Sequence, residues 1–215
     1  MILQGIIFDC DGTLVDSEHL AAQLLHELLA EQAVALPLEQ VLQRFRGVQF
    51  QQFLDGLSAE FPHLATDELA SRFRAGSLPL FREKLAEMPG ASVFVRGLEL
   101  HKCIASNAPR QKIETCLHAV GLLEAFSGRI VSAYEVQAWK PSPKIIEEAA
   151  EVMGVPVGHC LLVDDSVPGV QAGLAAGAQV AGYGEADFGE VQDHPNFHRT
   201  RDYPALERLV QHLAG

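Results

Sequence analysis

The sequence lacks the cysteine spacing of a zinc site. Cys10, Cys103, Cys116 and Cys160 stand far apart with no Cys-x-x-Cys pair. Three of them lie in or beside apolar, strand-like runs, so small buried thiols are expected in place of a metal site or a disulfide framework. The nine histidines show no ligand spacing either. Positive charge is scarce: 16 Lys and Arg face 28 Asp and Glu, a formal net charge of −12. That balance speaks against a nucleic-acid groove or an anionic membrane surface as partner. It still admits a small phosphorylated ligand, because a local cation reverses the sign of the field inside a site. No apolar run is long enough to span a bilayer, and strand-like sequence begins almost at Met1, leaving no room for a signal peptide. A cytoplasmic protein is expected. There are no internal repeats and no low-complexity segments. What remains is a normal globular mix, 48% hydrophobic and 20% charged over 215 residues, long enough for a sizeable core in one domain or two.

The most informative stretch is Gly5-Ile6-Ile7-Phe8-Asp9-Cys10-Asp11-Gly12-Thr13-Leu14-Val15-Asp16. Gln4 to Phe8 reads as a strand buried on both faces, the pattern of a central strand in a parallel sheet. In open α/β sheets the ligand crevice lies beyond the carboxyl ends of the strands. Asp9 and Asp11 fall there, and Gly12 lets the chain turn away tightly. The plain alternative is a strand followed by an Asp-Gly turn.

Downstream the pattern becomes helical. Asp16 or Ser17 can cap a helix carrying Leu20, Leu24, Leu25, Leu28 and Leu29 at helical spacing. Leu38 to Phe45 continues in the same style to an end near Gly47, then Gln49 to Phe61. A further helix opens at Thr66 or Asp67, with Pro79 marking a kink or break. About seventy residues thus show helix signals and no strand. The expected architecture is a Rossmann-like α/β domain of residues 1–15 and 88–215, carrying an all-helical insert of residues 16–87. After Pro89-Gly90 the α/β alternation returns. Strands are expected at Lys102–Ala105, Arg129–Ser132, Cys160–Val163 and Gln179–Gly182. Helices are expected from Pro109 to Gly121, from Ser142-Pro143 to Gly154, up to Gly177, and from Pro204 to Leu213. Residues 184–200 read as an irregular surface connection.

Four polar features follow strand ends: Asp9/Asp11, Ser106-Asn107, Lys140 and Asp164/Asp165. Each alone has an ordinary reading. Lys140 before Pro141 suits a solvated surface lysine, while Ser106-Asn107 and Asp164-Asp165 suit helix caps. Together, on the same edge of a parallel sheet, they make a site. Carboxylates crowded there repel, roughly 4 kcal/mol for a pair about 4 Å apart at an effective dielectric near 20. Such a cluster calls for a cation, and an all-oxygen donor set favours Mg²⁺. Lys140 adds a positive point charge, and Ser106 with the following helix start can hold phosphate oxygens.

Asp9-Cys10-Asp11-Gly12-Thr13, Ser106-Asn107, Lys140-Pro141 and Val163-Asp164-Asp165-Ser166 resemble the four motifs of the haloacid dehalogenase (HAD) superfamily. The helical insert directly after the first motif resembles the cap of its β-phosphoglucomutase-like branch. Phe45-Arg46-Gly47-Val48 and Gln137-Ala138-Trp139-Lys140-Pro141 are similar to strings in bacterial 6-phosphogluconate phosphatases. The resemblance implies that Asp9 is the nucleophile, forming an aspartyl-phosphate, and that Asp11 is the general acid–base. It implies Mg²⁺ held by Asp9, the Asp11 carbonyl and Asp165, with Asp164 through water or behind them. Thr13, Ser106, Asn107 and Lys140 would hold the phosphoryl group.

Departures sharpen this. The dehalogenases lack the second aspartate, so Asp11 speaks against a haloacid substrate. Mutases of the β-phosphoglucomutase type carry a hinge histidine where this chain has Ala21, and a cap arginine that aligns with Phe50. Hydrolysis is therefore expected over phosphosugar isomerisation. The expectation is a Mg²⁺-dependent phosphatase of small phosphorylated metabolites, sugar or sugar-acid phosphates such as 6-phosphogluconate, acting as a monomer or weak oligomer. The alternatives are a mutase and a non-catalytic phosphometabolite-binding module. Substrate choice should lie in the insert, where Glu18, His19, Arg44, Arg46, Arg72 and Arg74 are polar candidates. Arg46 and Arg74 are preferred as partners for a sugar acid.

Overall fold

The computed structural model describes residues 2–46 and 48–215. Position 47, where the second helix of the insert was expected to end, lies outside the described residues. In chain order the elements are β1 (Gly5–Phe8), α1 (Ser17–Glu31), α2 (Leu38–Phe45), α3 (Phe50–Glu60) and α4 (Thr66–Lys84). There follow α5 (Ala91–Gly97), β2 (His101–Ser106), α6 (Arg110–Ala119), β3 (Ile130–Ser132), α7 (Ala133–Val136) and α8 (Lys144–Met153). The chain ends with β4 (Cys160–Asp164), α9 (Val167–Ala176), β5 (Gln179–Tyr183), β6 (Phe197–Thr200) and α10 (Tyr203–Ala214).

The strands form one parallel sheet in the order β3-β2-β1-β4-β5-β6. Strand β1 lies between β2 and β4, with Phe8 in register with Ile104 on one side and Val163 on the other. The apolar run of β1 alternates between two cores, as strand geometry requires. Ile6 and Phe8 enter one core with Ile104, Leu161 and Val163, and Ile7 enters the other with Cys103, Ala105 and Leu162. Phe8 is fully buried, its ring edge-on to Phe94 and Phe126 at 6.2 and 5.8 Å. Burying a side chain of that kind contributes about 1.5–3 kcal/mol. All four cysteines are free and buried. No helix among the described residues is long and apolar enough to cross a membrane.

Between β1 and β2 lie the five helices α1–α5 and, among the described residues, no strand; α1–α4 make the helical block. Phe45, Phe50, Phe53 and Phe73 gather there, with the Phe50 and Phe73 rings 4.8 Å apart. The two chain crossings into this helical block are stitched together. Asp16 N–H donates to Ala86 C=O at 3.1 Å and Met88 N–H to Leu14 C=O at 2.9 Å.

Several local expectations are corrected. Residues 184–200 are not wholly irregular, because 197–200 form β6 on β5. This edge strand is short and includes the polar His198 and Arg199, so it shows no apolar run. Of the kink or break expected at Pro79, the break does not occur, because helix α4 continues through it. The carbonyl left without a donor belongs to exposed Ala75, where water can serve it. Neither Asp16 nor Ser17 caps α1 with its side chain, because the Ser17 hydroxyl is turned to Asp11. Nor do Asp164 or Asp165 cap α9. Ser166 does, accepting from Gly169 N–H.

Candidate active site

Parallel pairing brings the carboxyl ends of β1, β2 and β4 side by side, and so collects Asp9, Ser106 and Asp164 along one sheet edge. Lys140 arrives there from the turn after α7. It is 5% exposed, and its Nζ donates to Asp9 Oδ1 at 2.5 Å and to Asp164 Oδ2 at 2.7 Å. Burial works against the ammonium, but Asp164 and Asp9 outweigh it and hold its pKa above the ordinary lysine range. Asn107 locks the lysine backbone in place. Its Oδ1 accepts from Lys140 N–H at 2.9 Å, and its Nδ2 donates to the Lys140 carbonyl at 3.5 Å.

Asp164 is fully engaged. One oxygen accepts from Lys140 and the other from the Ser166 N–H and hydroxyl, at 2.9 and 2.7 Å. Gly169 makes this possible, since a Cβ there would overlap the Asp164 carboxylate. Gly12 does the same for Asp165. Its φ of +76° suits glycine, and a Cβ would overlap the Asp165 carboxylate. Thr13 donates its hydroxyl to Asp165 at 3.2 Å and is completely buried. Its carbonyl accepts from the Tyr203 hydroxyl at 2.7 Å.

The carboxylates differ sharply in environment. Burial raises the Asp9 carboxyl to about 7, with Lys140 opposing and Asp164 and Asp11 adding to the rise. Burial, then Asp164 and Asp9, pushes Asp165 well above the carboxylate range. Asp11 goes the other way. Burial would raise it, but Lys112 and Ser17 hold it below its usual value. Lys112 Nζ lies 2.8 Å from Asp11 Oδ2, and Ser17 donates to Oδ1.

Asp9, Asp11, Ser106, Asn107, Lys140 and Asp165 line one cavity of about 480 Å³ between the sheet edge and the helical block. Arg74, Phe45, Phe50 and Phe81 contribute the helical side, and Trp139 and Tyr134 the rim. Thr13, Asp164 and Arg46 do not line it. Thr13 and Asp164 stand behind Asp165 and Lys140 as described. Arg46 pairs at 2.8 Å with Glu18, which does face the cavity. The Arg74 guanidinium lies 5.7 Å from the centre of the Phe50 ring and has no ion pair among the described residues. Arg44 and Arg72 are spent on Glu60 and Glu31 at 2.6 Å each, outside this cavity. His19 is near Gln23, at 3.1 Å, and is exposed. Ala21 is buried, and its methyl group carries no proton to transfer.

Lys112 and Ser17 escaped the sequence reading. Lys112 sits in the first turn of α6, directly after Ser106-Asn107. A basic residue so soon after a strand end was the available signal.

A divalent cation at this sheet edge would need oxygen donors. Among the described residues no three acidic, histidine or cysteine side chains converge on one point. The available oxygens are the Asp9 and Asp165 carboxylates and the Asp11 carbonyl. The buried Asp9 and the partly buried Asp165, both driven toward protonation and the second cradled against Gly12, fit Mg²⁺, which takes one or two carboxylates and completes its shell with water and phosphate.

Residues 3–177 match the haloacid dehalogenase-like hydrolase family. The 6-phosphogluconate phosphatase of Escherichia coli (strain K12) is 36% identical over 179 residues, covering 83% of this chain and 81% of the relative. A solved haloacid dehalogenase-like protein of unknown function from Agrobacterium tumefaciens superposes with a TM-score of 0.84 at 27% identity, over 99% of this chain and all of the other. A HAD family hydrolase from Deinococcus radiodurans, solved with bound phosphate and sodium, gives a TM-score of 0.81 at 25% identity, covering 98% and 96%.

Proposed function

The chain belongs to the haloacid dehalogenase-like hydrolases and is a phosphatase of that family, and from this premise we propose that it hydrolyses sugar or sugar-acid phosphates through an aspartyl-phosphate on Asp9. The observation that carries the reading is the placement of Lys140 between Asp9 and Asp164, with Asp11 facing the same cavity. Asp9 is oriented by the ammonium, and its free carboxylate oxygen attacks phosphorus. The ester oxygen leaves with a proton delivered by the protonated form of Asp11, the minor form because Lys112 and Ser17 favour the carboxylate, and the carboxylate so formed takes a proton from the water that releases phosphate from Asp9. Lys140 and Ser106 offset the charge spread over the transferring phosphoryl group. Asn107 and Asp164 position Lys140, and Thr13 positions Asp165.

Asp9, Asp165 and the Asp11 carbonyl would hold Mg²⁺, which when bound neutralises carboxylate and phosphate charge. Residues 16–87 would act as the cap domain over a core of residues 1–15 and 88–215. Arg74, on the helical side of the cavity and with no ion pair among the described residues, would meet the carboxylate of a sugar acid. Its place there and the activity named for the Escherichia coli relative make 6-phosphogluconate the first ester to assay.

The test is phosphate release from a panel of sugar, sugar-acid and aryl phosphates, with Mg²⁺ and with EDTA. Mg²⁺-dependent release ranked toward sugar-acid phosphates is expected. Release that survives EDTA would overturn the metal assignment, and a ranking indifferent to the carboxylate would overturn the sugar-acid assignment.

A further inference from the structure

We infer that Lys112 is a specificity residue: its ammonium selects phosphate esters that carry an oxygen on the carbon next to the phosphorylated one. The inference rests on the assignment of Asp11 as general acid–base. To protonate the leaving oxygen, Asp11 must come within hydrogen-bond reach of it. Lys112 Nζ lies 2.8 Å from Asp11 Oδ2 and lines the same cavity. Any leaving group presented to Asp11 is therefore presented to Lys112 as well. An oxygen on the adjacent carbon is three bonds from the ester oxygen and falls nearest to that ammonium.

The lysine has a donor to spare. Of its three N–H groups, one goes to Asp11, and the ammonium lies over the Phe81 ring, whose centre is 5.7 Å away. Among the described residues it has no acceptor besides Asp11. The side chain is 25% exposed, enough to meet a ligand and too little to swing freely into water. Phe81 on α4 and Asp11 after β1 fix it from two sides. The phosphoryl group has its own cation in Lys140, which leaves Lys112 for the leaving group. A lysine ammonium is a point charge without the planar fork of arginine, so a vicinal hydroxyl and a vicinal carboxylate both suit it. The substrate class is then α-oxygenated phosphate esters, which includes the terminal phosphates of sugars and sugar acids.

Three esters of one carbon skeleton test this: propane-1,2-diol 1-phosphate, propane-1,3-diol 1-phosphate and n-propyl phosphate. They are compared by kcat/KM in the wild type, Lys112→Met and Lys112→Arg. The wild type should prefer the vicinal diol over both others by about tenfold or more, the worth of one hydrogen bond to a charged donor. Lys112→Met should erase that preference even as overall turnover falls, and Lys112→Arg should keep part of it. The ratio between two esters on one preparation does not depend on the fraction of folded enzyme, so a destabilised variant still gives an answer. An unchanged ratio in Lys112→Met would reduce Lys112 to an orienter of Asp11 and overturn the inference. So would phosphate release from all three esters by the wild type at equal rates. Wild-type enzyme that releases phosphate from none of them, nor from an aryl phosphate, would instead overturn the catalytic assignment itself.

Discussion

Lys140 Nζ and Asp164 Oδ2 lie 2.7 Å apart, with the lysine side chain 3% exposed and that of the aspartate fully buried. Replacing Lys140 by Met would leave Asp9 and Asp164 both buried without their cation. Breaking one side of such a pair costs about 3–5 kcal/mol. Lys140→Met should therefore lower unfolding stability by that order in denaturant melts, and adding Asp164→Asn should return part of it. Additive losses in the double variant would show that the two residues do not act as a pair.

Gly169 and Gly56 make a matched contrast. A Cβ at Gly169 would overlap the Asp164 carboxylate, while a Cβ at Gly56 meets nothing within 4 Å. Gly169→Ala should cost about 1–3 kcal/mol by overpacking and lower kcat, because Asp164 loses its grip on Lys140. Gly56→Ala, in the interior of α3, should instead stabilise by about 0.5–1 kcal/mol with kcat unchanged. Wild-type kcat in Gly169→Ala would separate Asp164 from catalysis.

Without metal, burial raises Asp9 to about 7 and Asp165 well above the carboxylate range. In the unfolded chain such groups ionise near pH 4. Between these values the unfolded state gives up protons that the folded state keeps, so stability should fall as pH rises from about 4 to about 7. Mg²⁺ binds the ionised carboxylates and opposes this. The rise in Tm on adding Mg²⁺ should thus be larger at about pH 7.5 than at about pH 5. Equal shifts at both would remove Asp9 and Asp165 as ligands.

Arg74 faces the cavity with no ion pair among the described residues, and Arg44 is paired with Glu60 outside it. Arg74→Ala should raise KM for sugar-acid phosphates by about tenfold, the loss of one charge-assisted contact, and leave KM for an aryl phosphate nearly unchanged. Arg44→Ala should alter neither. An equal rise for both esters in Arg74→Ala would assign that residue to packing over Phe50.

Much of this molecule is written locally in its chain. The four strands β1, β2, β4 and β5 are apolar runs ending in polar residues, so their identity and the convergence of Asp9, Ser106 and Asp164 follow from the parallel pattern. Strand β6 carries no such run. It is formed by pairing with β5, a tertiary cause invisible along the sequence. The same holds for Lys112 and Ser17. In the chain Ser17 looks like a helix cap and Lys112 like a solvated helix residue. The neighbouring positions of β1 and β2 bring Lys112 onto Asp11, and the turn between β1 and α1 brings Ser17 back to it across six residues. Arg46 and Arg74 have equal standing in sequence. The structure separates them, because Glu18 holds one while the other is left facing the cavity.

Transfer of the phosphoryl group to Asp9 is the step on which the proposed hydrolysis depends. It is tested most directly by quenching the enzyme in acid during turnover of a reactive ester and mapping phosphoryl gain by peptide mass. One phosphoryl group is expected on the peptide carrying Asp9, absent from Asp9→Asn, whose phosphate release should fall by at least about a thousandfold. Wild-type rates of release by Asp9→Asn, or a phosphoryl group on another residue, would contradict it.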